Sequence, residues 1–419
     1  MDTIVFVATS KSGSSREAIK AADRLGYFTV LLTDRIQFME QRLEFPEVHQ
    51  MIFADFSNIS TLKAIIADLI EQGKVIKNIF SFMDPYVHLA ASLAEEFCTS
   101  VVSSAPILQM EDKVLTRSML KDLPVSPYFS IYTPGNSLKD FVLEHKTKLP
   151  LIIKSPISAG SKDVLMANSK IQLKSAMKNL IRKYGKKPIL VEEFLTGPQF
   201  LVETLVHDGE VHIAAVIEQE ITFQKRFIVT GYILDPFLNK DFYHNIQQTV
   251  HSIVDTFGMK NGACHIEMRL VNGEWKVIEI NPRISGGAMN RIIEVGYGIN
   301  LVEETIQSFQ GNKPNLKRSH EKYVYVHYLT VENEGKLIKV TGANAAANFP
   351  GVEEVFIKPR KGKFLRAPLS MGDRYGYVMA SSHSKEDAMK IAQEAAKEIK
   401  FHLENSQNPE KPKEGKESK

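Results

Sequence analysis

The sequence predicts a multidomain protein, parallel α/β in its first part and a small α+β section at its end. Three observations lead there. Strand-like and helix-like segments alternate from Thr3 to Phe97, a polar, basic stretch (NKPNLKRSHEK, 312–322) interrupts the later chain, and a regular helical stripe closes it. A length of 419 residues suits two to four domains, and 43% apolar with 24% charged residues is enough to build real cores.

The alternation opens with the apolar run 3–8 (TIVFVA), a polar loop from Ser10 to Ser15, and a helical pattern through Ala18, Ala21, Ala22 and Leu25. Phe28 to Leu32 is a second apolar run, and the cycle repeats with 51–54, the helix around Leu62 to Ile70, and the strand Ile79 to Phe82. The loop SKSGSS lacks both the G-x-G-x-x-G and GK[ST] patterns, so it reads as a plain strand-to-helix turn. Asp84 then suits a helix N-cap and Pro85 the first helical position. That loop also ends a strand, where open α/β sheets place ligands. The expected divisions are 1–106, 107–310 (with a mobile lid lobe over about 115–188), 311–404, and a disordered tail at 405–419 that contains no hydrophobic residue. The last helix is expected to start at Ser384, with Asp387 completing a variant of the capping box. Ala388, Ile391, Ala392, Ala395, Ala396 and Ile399 form its apolar stripe.

A net charge of +3, spread along the chain, gives no field for nucleic acid or an anionic membrane. Cys98 and Cys264 lie far apart in apolar segments and read as buried small hydrophobes. No stretch is long and apolar enough to span a membrane, and MDTIVFVATS reads as a first strand, so a cytoplasmic location is expected.

The candidate chemistry lies in the middle. In 263–270 (ACHIEMRL), Cys264, Ile266, Met268 and Leu270 alternate with His265, Glu267 and Arg269, a strand with one apolar and one polar face. Asn272-Gly273 marks a turn, and 275–281 (WKVIEIN) returns with Glu279 and Asn281 on one face. A strict two-residue turn would pair Glu267 with Ile278; an odd-length or bulged turn, which we expect, would set Glu267 opposite Glu279. Two carboxylates so close need a cation between them, for which Mg²⁺ is suited, with Asn281 adding a neutral oxygen. On its own the pair fits a solvated surface hairpin equally well. Arg283 follows, and then Ser285, Gly286 and Gly287, whose amides suit an anion. Upstream, Lys154 ends the strand Leu151-Ile152-Ile153 beside a small-residue loop, a suitable place for phosphates. Lys113 opens an amphipathic segment. Backbone groups near Leu195, after Glu192 and Glu193, could read an adenine edge.

The order Lys113, Lys154, Glu192-Glu193-Phe194-Leu195, Glu267, Glu279-Ile280-Asn281-Pro282-Arg283 resembles the ATP-grasp superfamily over about 1–400. Within it the chain looks most like bacterial L-amino-acid ligases, the dipeptide synthetases of the bacilysin-synthetase type. The resemblance implies an ATP-grasp fold and an ATP-dependent ligase that joins two unprotected L-amino acids through an acyl phosphate. By it, Lys113, Lys154 and the loop residues Ser158, Gly160 and Ser161 bind ATP phosphates, and Glu192, Glu193 and Leu195 sit at the adenine. Glu267, Glu279 and Asn281 hold Mg²⁺, with Mn²⁺ a possible substitute. Arg283, Ser285 and Gly286 stabilise the reacting carboxylate and tetrahedral intermediate, and Asp84, Pro85 and Gly287 line the amino-acid pocket. Small-molecule amino acids are the expected partners, without nucleic acid or membrane, and a homodimer is a family-level expectation. Three departures stand out: only Gly160 supplies glycine to the phosphate loop, with Asp163 where a glycine is common; Gln199 replaces a frequent ribose-binding glutamate; and Gly287 stands where an aromatic can occur. Phe82, Met83, Pro85 and Gly287 suggest an apolar first substrate and a small second one. The competing readings are a biotin-carboxylase-like or purine-pathway ligase, with Ala388-Met389-Lys390-Ile391 superficially like a biotinylation motif, and a catalytically silent nucleotide-binding regulator.

Overall fold

The computed structural model describes residues 1–99, 101–155, 163–223 and 227–404. Ser158, Gly160, Ser161 and the tail 405–419 lie outside the described residues. The chain forms two compact units, one of Met1–Gln219 with Ile233–Tyr323, the other of Glu220–Tyr232 with the chain from Val324 onward.

The first unit holds three sheets. β1 (Asp2–Val7), β2 (Phe28–Thr33), β3 (Gln50–Phe53) and β4 (Val75–Phe80) form a parallel sheet in the order β3-β2-β1-β4. Its strands are nearly continuous apolar runs because helices cover them, and Val5, Val7, Val30 and Leu32 are fully buried. β5 (Phe129–Tyr132), β6 (Leu151–Lys154), β7 (Val164–Ala167) and β8 (Ile189–Glu193) form an antiparallel sheet ordered β5-β8-β6-β7. The helix Lys170–Tyr184 buries Leu173, Ala176, Met177 and Leu180 in the same core as its strands. The third sheet carries the site. β9 (Gln199–His207), β10 (Glu210–Phe223), β11 (Phe227–Leu234), β12 (Gly262–Val271) and β13 (Glu274–Asn281) follow in sequence, and within this unit the order is β13-β12-β9-β10. The apolar face of β12, with Cys264, Ile266 and Met268, is fully buried with Val250, Ile253 and Val254 of the helix Lys240–Thr256.

In the second unit β14 (Tyr323–Leu329), β15 (Gly335–Thr341), β16 (Val352–Ile357), β17 (Phe364–Leu365), β18 (Gly376–Ser382) and β19 (Lys400–Leu403) give the orders β11-β14-β18-β16 and β17-β15-β19. The last helix runs Lys385–Glu398, with Ser384 accepting the Asp387 amide and Ala388, Ala392, Ala395 and Ala396 buried, as its stripe requires. Among the described residues no helix is long and apolar enough to cross a membrane.

Candidate functional site

Register puts the polar residues of three neighbouring strands on one face. On β12 and β9, Glu203 is opposite His265 and Gln199 opposite Arg269. On β12 and β13, His265 is opposite Asn281 and Glu267 opposite Glu279. The two glutamates therefore do meet, though the tip is not the device that achieves it. The Asn272-Gly273 turn is a tight two-residue one, with both residues at positive φ (51° and 85°) and Val271 paired with Glu274. The register shifts further along, between Glu267 and Met268, where Ile278 is the extra residue on β13. Arg117 pins that bulge, donating from Nη2 to the carbonyls of Val277 (3.1 Å) and Ile278 (2.8 Å), while the Val277 amide donates to Val125 (2.9 Å).

Glu192 is almost completely buried and is clamped by Arg117 and by Lys154, the latter at 2.5 Å. Burial opposes its ionisation, but the two cations outweigh burial and hold its carboxyl below the usual range. Lys154 is thus presented by its own counter-ion. Lys113 starts the helix Lys113–Leu120, capped by Asp112, and its ammonium lies 3.3 Å from Glu279. Burial likewise works against the Glu267 charge, yet His265, Lys154 and Lys113 keep that carboxyl low.

Glu203, wholly buried, accepts from His265 Nδ1 at 2.6 Å and from the Ser285 amide at 3.1 Å. Burial lowers the His265 pKa, but Glu203 and Glu267 reverse this and raise it to about 10. The Ser285 amide expected to face an anion is therefore committed to Glu203. The 285–287 loop also meets the N-terminal loop: Ser14 donates to the Ser285 carbonyl, and Asn290 donates to Ser14 at 2.7 Å. A Cβ on Gly13 (φ 83°) would come within 3.3 Å of the Gly287 nitrogen, so this turn needs glycine. The segment Ser10–Ser15 thus buttresses the glycine loop.

Asp84 does not cap a helix. The following helix starts at Val87, with Tyr86 at its N-cap, and the Asp84 carboxylate is gripped by the guanidinium of Arg283 through Nε (3.3 Å) and Nη2. Pro85 is in the same loop. Glu111 accepts the His88 amide at 3.2 Å; burial, aided by the Asp84 charge, raises its carboxyl to about 7.

Glu193 accepts the Tyr128 amide at 2.8 Å, and the Leu195 carbonyl accepts from Arg269 at 2.8 Å. Gln199 links these parts: it donates to Gln219 (2.6 Å) and Glu267 (3.2 Å) and accepts from Arg269 (3.0 Å). A glutamate there would lose both donations. Asp163 adopts the left-handed conformation itself (φ 58°), with its carboxylate bound by Lys183 and Tyr184. An acid with side-chain anchors does there what a glycine does by lacking a Cβ.

A family model of the ATP-grasp domain matches residues 147–291, and one of the L-amino acid ligase C-terminal domain 2 matches 327–404. The chain carries an ATP-grasp domain and is similar to L-amino acid ligases. An L-amino acid ligase from Bacillus licheniformis shares this ATP-grasp fold with a TM-score of 0.81 at 21% identity, covering 97% of this chain and 99% of that one. N5-carboxyaminoimidazole ribonucleotide synthetase from Thermotoga maritima gives 0.70 at 17% identity, over 96% and 100%. The L-arginine-specific L-amino acid ligase of Bacillus subtilis is 23% identical over 278 residues, 64% of this chain and just under two thirds (66%) of that protein.

Arg117, Glu203, His265 and Arg269 escaped the sequence reading as site residues, and Gln199 entered it only as a departure from the family pattern. Only the alternation in 263–270 hinted at His265 and Arg269. Among the described residues no group of three or more His, Cys, Asp or Glu forms a metal cluster. The donor set here is instead two carboxylates in direct register plus a carboxamide two residues from one of them. Few protein ligands, all oxygen, fit a magnesium ion that shares its sphere with phosphates and water.

Proposed function

We propose that this ATP-dependent carboxylate–amine ligase joins two unprotected L-amino acids into a dipeptide, releasing ADP and phosphate. The observation that carries the reading is the Glu267–Glu279 register, with Lys113 beside Glu279 and Lys154 held by Glu192. Glu267, Glu279 and Asn281 would hold Mg²⁺, which when bound offsets the charge of the triphosphate. Lys113 and Lys154 bind the phosphates, so that a substrate carboxylate can approach a γ-phosphate that would otherwise repel it. Arg283, whose guanidinium is held in place by Asp84, supplies positive charge beside this carboxylate. The carboxylate oxygen attacks phosphorus, ADP leaves, and an acyl phosphate results. The free amine of the second amino acid then attacks the acyl carbon, phosphate leaves with the bonding pair, and the amine gives up a proton. The backbone near Leu195 serves the adenine, and the Asp84-Pro85 loop with Gly287 lines the amino-acid pocket.

Pairs of L-amino acids are to be screened for phosphate release, with mass spectrometry of the products. Amino-acid-dependent ADP and dipeptide formation is the expected outcome, with an apolar first residue and a small second one favoured. Best turnover with a charged first residue would overturn that preference, and bicarbonate-dependent turnover would favour a carboxylase instead. Lys390 lies inside the helix Lys385–Glu398, which does not suit a biotin attachment site.

A further inference from the structure

Glu203, which has no part in the proposed mechanism, is an acid wholly buried in the sheet that carries the site. A charge in the middle of a sheet is costly unless its partners are exact in placement. Its partners are two and they point to different parts of the site. One carboxylate oxygen takes the His265 Nδ1 proton at 2.6 Å, and the other takes the Ser285 amide at 3.1 Å. The remaining His265 nitrogen, Nε2, lies 3.6 Å from Glu267 Oε1. A continuous path thus runs from the Glu267 carboxylate through the imidazole and Glu203 to the loop that carries Arg283 and Gly287. Cross-strand pairing of His265 with Glu203 on one side and Asn281 on the other keeps the ring from turning away.

We propose that Glu203 and His265 are a positioning pair, which fixes the Glu267 carboxylate relative to the 283–287 loop. They touch neither nucleotide nor amino acid; they set the separation between the group that receives the metal and the group that receives the substrate carboxylate. The inference rests on the metal reading of Glu267 given above. It gives a physical reason for a hydrogen-bonded acid–imidazole pair at a position where two apolar residues would pack without the cost of burying polar groups.

The test uses the full chain and the variants His265→Asn, Glu203→Gln, the double variant, and Glu279→Gln. Binding of Mn²⁺ with ADP is followed by electron paramagnetic resonance, beside melting temperature and steady-state kinetics. His265→Asn leaves Glu203 without its cation and lowers the melting temperature. The double variant is neutral at both positions and recovers most of that loss. A purely structural pair would then recover metal affinity and kcat as well. The expected result is that the double variant stays at least about tenfold weaker for Mn²⁺ and loses kcat more than it raises KM for ATP. Wild-type Mn²⁺ affinity and kcat in the double variant would overturn the proposal. Should His265→Asn alone not fold, the double variant supplies the same readout. Glu279→Gln separates the two claims. If it keeps full Mn²⁺ affinity, the metal reading itself falls and takes this proposal with it; if it loses affinity while the double variant keeps it, only the positioning role falls.

Discussion

Two charged clusters of the first unit are built from the same residue types and do opposite things. Around Glu192, one carboxylate faces two cations, Arg117 and Lys154, and the cluster is left with a positive excess. On the neighbouring polar face, Glu203, Glu267 and Glu279 outnumber His265 and Lys113, the cations paired with them, and the excess is negative. The first is almost sealed from water, while Glu279 is about one third exposed. The difference teaches how a lysine and a carboxylate can both be offered to one ligand: a surplus of one sign on each side suits a nucleotide phosphate on the first and its divalent cation on the second.

The largest expected effect comes from breaking the sealed cluster. Arg117→Leu leaves Glu192 with Lys154 alone and releases the bulge at Ile278, and should cost roughly 3–5 kcal/mol in urea unfolding. A loss below about 1 kcal/mol would mean Glu192 does not depend on it. Next is Glu279→Gln on the open cluster, which should lower ADP release about a hundredfold or more while the melting temperature stays near wild type. Near-normal turnover would discredit the metal assignment. Lys154→Ala keeps the Arg117–Glu192 pair, so stability should change little while KM for ATP rises about tenfold, the loss of one phosphate contact. Equal loss of stability in Lys154→Ala and Arg117→Leu would erase the contrast between the two cations.

The acid side of the stability profile follows from the same clusters. Glu192 and Glu203 are held below the usual carboxylate range despite burial, so the unfolded chain binds more protons as the pH falls. Their stabilisation is complete above the ordinary carboxylate range and is lost as the pH drops through it and below. Melting temperatures measured downward from neutral pH should decline accordingly, and Glu192→Gln should flatten that decline. The smallest effect is Gln199→Glu, which removes the donor to Glu267 but keeps Arg269 as a partner; KM for ATP should shift severalfold at most. A collapse of turnover would make Gln199 a larger part of the open cluster than its hydrogen bonds imply.

Much of this was legible in the residues themselves. Alternating apolar runs gave the parallel sheet, the Asn272-Gly273 pair marked the hairpin, and Ser384 announced the last helix. The polar face of β12 was visible as a period of two. The bulge was foreseen but misplaced at the tip, because Ile278 suits a regular strand as well as a bulged one. What decides it is Arg117, far away in the chain. Asp84 looked like a helix cap because local rules see only neighbours, whereas Arg283, which takes its carboxylate, is 199 residues on. Glu203 left no mark at all, since its ionised state depends on His265, 62 residues away.

The bulge has a consequence for how this hairpin tolerates change. Between the tip and the acids stand a pinned carbonyl pair and a long pairing of β12 with β9, which hold the register of the two glutamates independently of the length of the tip. Extra residues spliced at Asn272-Gly273 would be taken up in solvent, leaving the parity of the two glutamates untouched. A reporter peptide or affinity handle placed there would ride on the molecule without being felt by it.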